Sequence, residues 1–309
     1  MKRRDLLLGV TAGTLVLSAC TSLPQGRPPL RIDIELPVEE GRALPLRIWA
    51  PADGRRLPIA LFSHGAYSSG QDYDPLLSAW ANAGFVVLAP THRDSTRLGT
   101  RRGSQEPRWF GWRLDDMQAI ATRLDAIAAA APALRGRLDA TRLAATGHSF
   151  GGLVAQTLGG ATYRDLVADR TVSRAVPGVR AVVIFSGAGA MAPLLTPADF
   201  AALQLPTLVT VGSEDLAQAP GLTGYQWRRQ PYDLIAPGNK YLLSLEGADH
   251  YLGGAVGRDD LPRSPQADRY VAAFNAASIA FLRTYVAGQS SAREELERLE
   301  QPLARLERR

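Results

Sequence analysis

The chain predicts an α/β fold, with a mostly parallel central sheet and helices on both faces. Three observations carry that expectation. Short apolar runs alternate with segments of helical spacing along most of the 309 residues, the pattern of strands joined by crossover helices. The runs 58–63 and 85–89 are continuously apolar, as in strands covered on both faces. Ser149 stands between Gly147 and Gly151, where an apolar run gives way to a helical pattern.

The first residues follow a logic of their own. Lys2, Arg3 and Arg4 form a charged start, and 6–19 is an uncharged, mostly apolar stretch of 14 residues. That is too short to span a bilayer and suits the apolar region of a signal peptide, here 1–19. The stretch ends in Leu17-Ser18-Ala19-Cys20, which resembles the lipobox of bacterial lipoproteins. The resemblance implies cleavage before Cys20 and its lipidation, which would attach the protein to a membrane of the bacterial envelope. Thr21 follows where an Asp would resemble an inner-membrane retention signal, so the outer membrane is the expected address. Arg3-Arg4-Asp5-Leu6-Leu7 also resembles a twin-arginine export signal, without its usual Phe. Cys20 is the sole cysteine, so no intramolecular disulfide is available. Residues 20–29, with three prolines, read as a tether.

The body is expected over 30–288. Runs 30–36 and 44–50 alternate like a paired antiparallel start. Strand 58–63 is followed by a helix over 73–83 ending near Gly84, then by strand 85–89. Leu114, Met117, Ile120, Leu124 and Ile127 are spaced for one helix over 112–131. Strand 143–147 leads into Ser149 and a helix. Strands at 181–185, 207–211 and 241–245 follow, and a long helix over 269–287 closes the body. The tail, 289–309, has Leu296, Leu299, Leu303 and Leu306 at helical spacing with Pro302 interrupting, and reads as a charged helical segment. The formal charge is +5, with about +2 of it in residues 1–19. The remainder is too little for a nucleic-acid footprint. The loop 91–113 carries Arg93, Arg97, Arg101, Arg102, Arg108 and Arg113 and reads first as a solvated loop, with an anionic lipid or acidic substrate as the alternative.

A Ser between glycines at a strand-to-helix turn suits a nucleophile, because glycines let neighbouring backbone pass close by. A helix-capping Ser in a Gly-rich turn would give the same pattern. A nucleophilic Ser needs a base, and the base an orienter. Of the four histidines, His64 and His92 precede Ser149, His148 adjoins it, and His250 alone follows it. His250 lies just beyond the last strand run. Asp215, in the turn after 207–211, is the chosen acid, with Glu214 as competitor; Asp249 is too close in sequence to His250 to reach its Nδ1. Oxyanion donors are expected at the Phe150 N–H and at the Ala66 N–H, which follows the His64-Gly65 turn. His64 is expected to brace that loop. Tyr67, Tyr251 and Trp227 are candidate pocket walls.

Phe62-Ser63-His64-Gly65, Gly84-Phe85-Val86-Val87, Gly147-His148-Ser149-Phe150-Gly151-Gly152 and Gly247-Ala248-Asp249-His250 together resemble the α/β-hydrolase superfamily. They are similar to its platelet-activating-factor acetylhydrolase and dienelactone-hydrolase-like branch, which includes bacterial polyester hydrolases. Dienelactone hydrolases proper use a Cys where this chain has Ser149. The resemblance implies a serine carboxylic-ester hydrolase with a Ser149–His250–Asp215 triad and no metal or cofactor. Its substrate would be a lipid, short-chain or polymeric ester. A peptidase or amidase on the same fold, and a binding lipoprotein without turnover, are the alternatives.

Overall fold

The structure, a computed structural model, describes residues 27–39, 41–216 and 221–309. The expected signal peptide and Cys20 lie outside them. Two antiparallel strands, β1 (Leu30–Glu39) and β2 (Arg42–Ala50), begin the sheet. Then come β3 (Leu57–Ser63), α1 (Asp74–Asn82), β4 (Val86–Pro90), α2 (Trp109–Thr122) and α3 (Leu124–Ala130). The long strand β5 (Leu138–His148) runs into α4 (Phe150–Leu158) through Ser149 alone. A small hairpin, β6 (Thr162–Asp165) and β7 (Arg170–Ser173), stands outside the main sheet. The remainder is β8 (Val179–Phe185), β9 (Thr207–Gly212), α5 (Gly224–Leu234), β10 (Lys240–Leu245), α6 (Ala267–Leu282), α7 (Ser291–Glu297) and β11 (Ala304–Arg308).

The main sheet has nine strands in the order β1-β2-β4-β3-β5-β8-β9-β10-β11. The six from β4 to β10 are mutually parallel, and antiparallel strands close both edges. Alternate residues of each central strand serve two separate cores. In β3, Ile59 and Leu61 face one core, while Ala60 and Phe62 face the other. In β8, Val182 and Ile184 part from Val183 and Phe185 in the same way. This is why those runs are continuously apolar in sequence: neither face meets water.

Three elements differ from the sequence expectation. The single helix expected over 112–131 is broken at Arg123, whose guanidinium reaches out of the helix to the Pro37 and Val38 carbonyls of β1. The β6–β7 hairpin had no counterpart in the sequence reading. The tail is not one helix. After α7, Leu303 takes a left-handed φ of 65°, and residues 304–308 pair with β10, Leu306 opposite Leu243 and Arg308 opposite Tyr241. Pro302 cannot continue a helix, and β10 would otherwise present an open row of N–H and C=O groups. Pairing with that edge overrides the helical spacing of the leucines.

The tail is part of the core, with Leu296 fully buried against the α6 side of the sheet. Leu296→Ala is therefore expected to destabilise the protein by about 2–4 kcal/mol, measured by urea unfolding. A frayed terminal helix would lose nothing.

Candidate active site

The site lies at the carboxyl ends of the parallel strands, where crevices form in such sheets. At the end of β5 the chain turns sharply. Ser149 has φ 54° and ψ −116°, a conformation that costs a non-glycine residue energy and is kept only by its surroundings. The surroundings are explicit. A Cβ on Gly151 would lie 1.9 Å from the Ser63 carbonyl oxygen, and one on Gly147 would lie 2.2 Å from the Gly151 oxygen. The first turn of α4 thus presses against the end of β3 through bare backbone. The Ser149 N–H donates to the Phe185 carbonyl at 2.9 Å, tying the turn to β8.

Asp215 and His250 come from the loops after β9 and β10. Asp215 is buried, and His250 Nδ1 lies 3.0 and 3.1 Å from its two carboxylate oxygens. Burial alone would raise the Asp215 pKa. The hydrogen bonds from His250 and the nearby Arg228 charge outweigh it and hold the carboxyl below its ordinary value. Glu214, the competing acid, is exposed, and its backbone N–H caps the Ala248 carbonyl. Asp249 accepts from the Tyr251 and Gly253 N–H groups and shapes the His250 loop. Ser149 and His250 line one cavity of about 260 Å³. No direct Oγ–Nε2 hydrogen bond joins them, a looseness common in unliganded sites.

Ala66 also lines this cavity, as do Tyr67 and Tyr251. Among the described residues, neither the Ala66 nor the Phe150 N–H has a hydrogen-bond partner within the protein. Trp227 is not a wall of this cavity. Its indole N–H donates to the Ala190 carbonyl at 2.8 Å and its ring lies under Arg228. Arg102 and Arg258 stand in the lining instead. A larger, more open cavity of about 590 Å³ adjoins this one, sharing Arg258 but not Ser149.

The other three histidines are fully buried, and their partners fix their protons. His148 Nε2 faces the His250 carbonyl at 2.8 Å, so it carries the hydrogen. Its Nδ1 then accepts from the Tyr73 hydroxyl at 2.7 Å, and that hydroxyl accepts from the Gly65 N–H at 3.0 Å. One chain of bonds therefore links the loops after β3, β5 and β10. His64 donates from Nδ1 to the Gly65 carbonyl at 2.7 Å and accepts at Nε2 from the His92 N–H at 3.0 Å. His92 donates from Nδ1 to Asp116 at 2.8 Å and accepts at Nε2 from the Ser63 hydroxyl at 3.0 Å. Ser63, His92 and Asp116 thus repeat the bonding order of a catalytic triad. All three are at most 1 % exposed, and none lines the Ser149 cavity.

Sequence reasoning missed two arginines. Arg228 of α5 contacts Asp215 at 3.4 Å and donates to the Ser186 carbonyl at 2.8 Å. By sequence, Arg113 groups with the solvated loop 91–113. It is 1 % exposed and paired with buried Asp94 at 2.7 Å, whereas Arg97, Arg101, Arg102 and Arg108 are exposed. No local signal marks either arginine as buried. Among the described residues there is no cluster of His, Cys, Asp or Glu suited to a metal ion, and no helix is long and apolar enough to cross a membrane.

The model of a family described as "Alpha/beta hydrolase family" matches residues 60–305, which span β3 to β11. No curated protein matches the chain.

Burial lowers the pKa of His64, His92 and His148. Arg113 reinforces the effect at His64 and His92, and His250 at His148. These groups stay neutral when folded but take up protons when unfolded below pH about 6.5. Unfolding at pH 5–6 is therefore expected to bind up to about three protons. Each contributes a stability loss of up to about 1.4 kcal/mol per pH unit as pH falls through that window. Urea midpoints between pH 7 and 5 test this, and a flat profile would contradict it.

Proposed function

The chain belongs to the alpha/beta hydrolase family, and from that premise we propose that it is a serine carboxylic-ester hydrolase. The observation that carries the reading is the His250–Asp215 pair, 3.0 Å apart, opening on the same cavity as a serine held at positive φ. His250 Nδ1–H is engaged by Asp215, which leaves Nε2 to take the Ser149 proton as Oγ attacks the ester carbonyl. Asp215 orients the ring and offsets the charge of the imidazolium. The Ala66 and Phe150 N–H groups receive the oxyanion, and each such donor is typically worth about 10²–10³ in kcat. The protonated His250 then gives its proton to the leaving alkoxide. Water attacks the acyl-enzyme with His250 again as base, and Ser149 is restored. The His250 hydrogen bond, aided by the Arg228 charge, keeps the Asp215 carboxyl below its ordinary pKa despite its burial.

The cavity supports a short ester rather than a long lipid chain. Its lining holds Tyr67, Tyr73, Tyr251, Arg102 and Arg258, and the Ala66 methyl is its sole aliphatic side chain. A long alkyl chain would find no aliphatic channel there beyond the Ala66 methyl, and only about 260 Å³ of room. For the site of action, the leader pattern and Cys20 support a lipoprotein held at the bacterial envelope, facing the periplasm or the cell surface. Two acyl chains at Cys20 would suffice for stable attachment.

Ser149→Ala is expected to lower hydrolysis of p-nitrophenyl butyrate by at least about 10⁴-fold in a folded protein, and to abolish labelling by a fluorophosphonate. Undiminished turnover would sink the assignment; a folded wild type that neither turns over nor labels would favour a binding protein. Across a graded ester series, kcat/KM for acetate or butyrate should exceed that for dodecanoate by about tenfold or more. A rise with chain length would point to a lipid substrate instead.

A further inference from the structure

Arg113 has an arrangement that stability does not explain. Its Nε and one terminal nitrogen donate to the two carboxylate oxygens of Asp94, at 2.9 and 2.7 Å. The same terminal nitrogen donates to the Gly65 carbonyl at 3.1 Å. The other reaches the Ser63 hydroxyl at 3.2 Å and the His64 carbonyl. The guanidinium carbon lies 4.5 Å from the centroid of the Phe150 ring. One cation thus touches the carbonyl end of the 65–66 peptide and the ring of Phe150; the N–H groups of that peptide and of Phe150 are the expected oxyanion donors. A buried ion pair is a poor device for stability, since desolvation consumes much of its attraction. Arginine's rigid fork is needed here to serve one carboxylate and two successive carbonyls at once, which a lysine ammonium does not match.

The geometry of the peptide gives the arrangement a purpose. The Gly65 carbonyl and the Ala66 N–H belong to one planar, trans unit, so they point in opposite directions. The carbonyl also accepts from His64 Nδ1–H at 2.7 Å and from the Ser68 N–H at 3.3 Å. Donors on the carbonyl side therefore aim the N–H at the cavity, and a full positive charge among them polarises the unit and strengthens its donor end. We propose that Arg113, locked by Asp94, is a positioning residue that orients and polarises the 65–66 peptide so that the Ala66 N–H meets the developing oxyanion. The proposal rests on the Ser149 hydrolase reading. His64 is the neutral second brace on the same carbonyl.

Arg113→Gln alone would leave the Asp94 carboxylate buried without its partner. The test therefore uses Arg113→Lys, which keeps the charge without the fork, and the double variant Arg113→Gln/Asp94→Asn, which removes both charges. Each is made in the full chain and compared with wild type on p-nitrophenyl butyrate. The active fraction is counted by fluorophosphonate labelling. The expected result is a fall in kcat per labelled site of about 10²-fold, the effect of one lost oxyanion donor, with KM within about threefold. Affinity for a trifluoromethyl ketone, which adds to a serine as an oxyanion, should fall by the same factor. A merely structural role would lower the labelled fraction and leave kcat per labelled site intact; that result, or lost kcat with unchanged ketone affinity, overturns the proposal. A wild type that neither hydrolyses esters nor labels overturns the hydrolase reading itself, so the two failures are distinct.

Discussion

The geometry around Ser149 depends on one close approach, that of Gly151 to the Ser63 carbonyl, where there is no room for even a methyl group. It brings the N-terminal turn of α4 against the end of β3. Two consequences follow together. The turn between β5 and α4 has no slack, so Ser149 is held at positive φ with its N–H bonded to β8. The chain leaving β3 runs straight into His64, Gly65 and Ala66, so the same contact sets where the Ala66 N–H stands relative to Ser149. Ser149 and the Ala66 N–H are placed by adjacent backbones rather than by flexible side chains.

Around this contact the polar groups are buried in matched sets. His64, His92 and His148 each have one ring nitrogen donating and one accepting. Such an arrangement fixes a single tautomer and tolerates no extra proton. Charged groups are paired across elements, Arg113 with Asp94 and Asp215 with both His250 and Arg228. Beside Asp215, Arg228 Nε and the Ser186 hydroxyl are buried without a hydrogen-bond partner among the described residues. The histidine sets, by contrast, are satisfied and so specify one arrangement, because any shift leaves a buried donor or acceptor without a partner. This rigidity is how a strained serine is tolerated in an otherwise ordinary fold.

The strands and the Ser149 turn were legible in the sequence because both rest on local rules. Continuous apolar runs reveal burial on two faces, and Gly147 and Gly151 mark backbone contact. Chain order and strand ends pointed to Asp215 and His250, which the structure brings within hydrogen-bonding distance. What stayed hidden depends on distant partners. Arg113 is indistinguishable in sequence from its exposed neighbours, since only folding brings Asp94 and the Gly65 carbonyl to it. Arg228 likewise meets Asp215 through the packing of α5. Trp227 resembles any aromatic wall until its N–H is seen bonded to Ala190. The tail carried a helical spacing, and the open edge of β10 decided otherwise.

The sealed row of Ser63, His92 and Asp116 bears on what makes a serine reactive. Among the described residues two serines, Ser63 and Ser149, each stand near a histidine bonded to an aspartate, and they differ in access rather than in inventory. The Ser63 hydroxyl donates a hydrogen bond to His92 but has Arg113 as a second neighbour and no open space beyond. Nothing with a carbonyl can arrive, and an alkoxide formed there would have nowhere to react. The same three side chains that would spell an enzyme at the surface act, a few ångströms inside, as mortar. Under the proposed reading of Ser149 as a nucleophile, what separates it from Ser63 is the cavity that Ser149 and His250 share, not the identity of its partners.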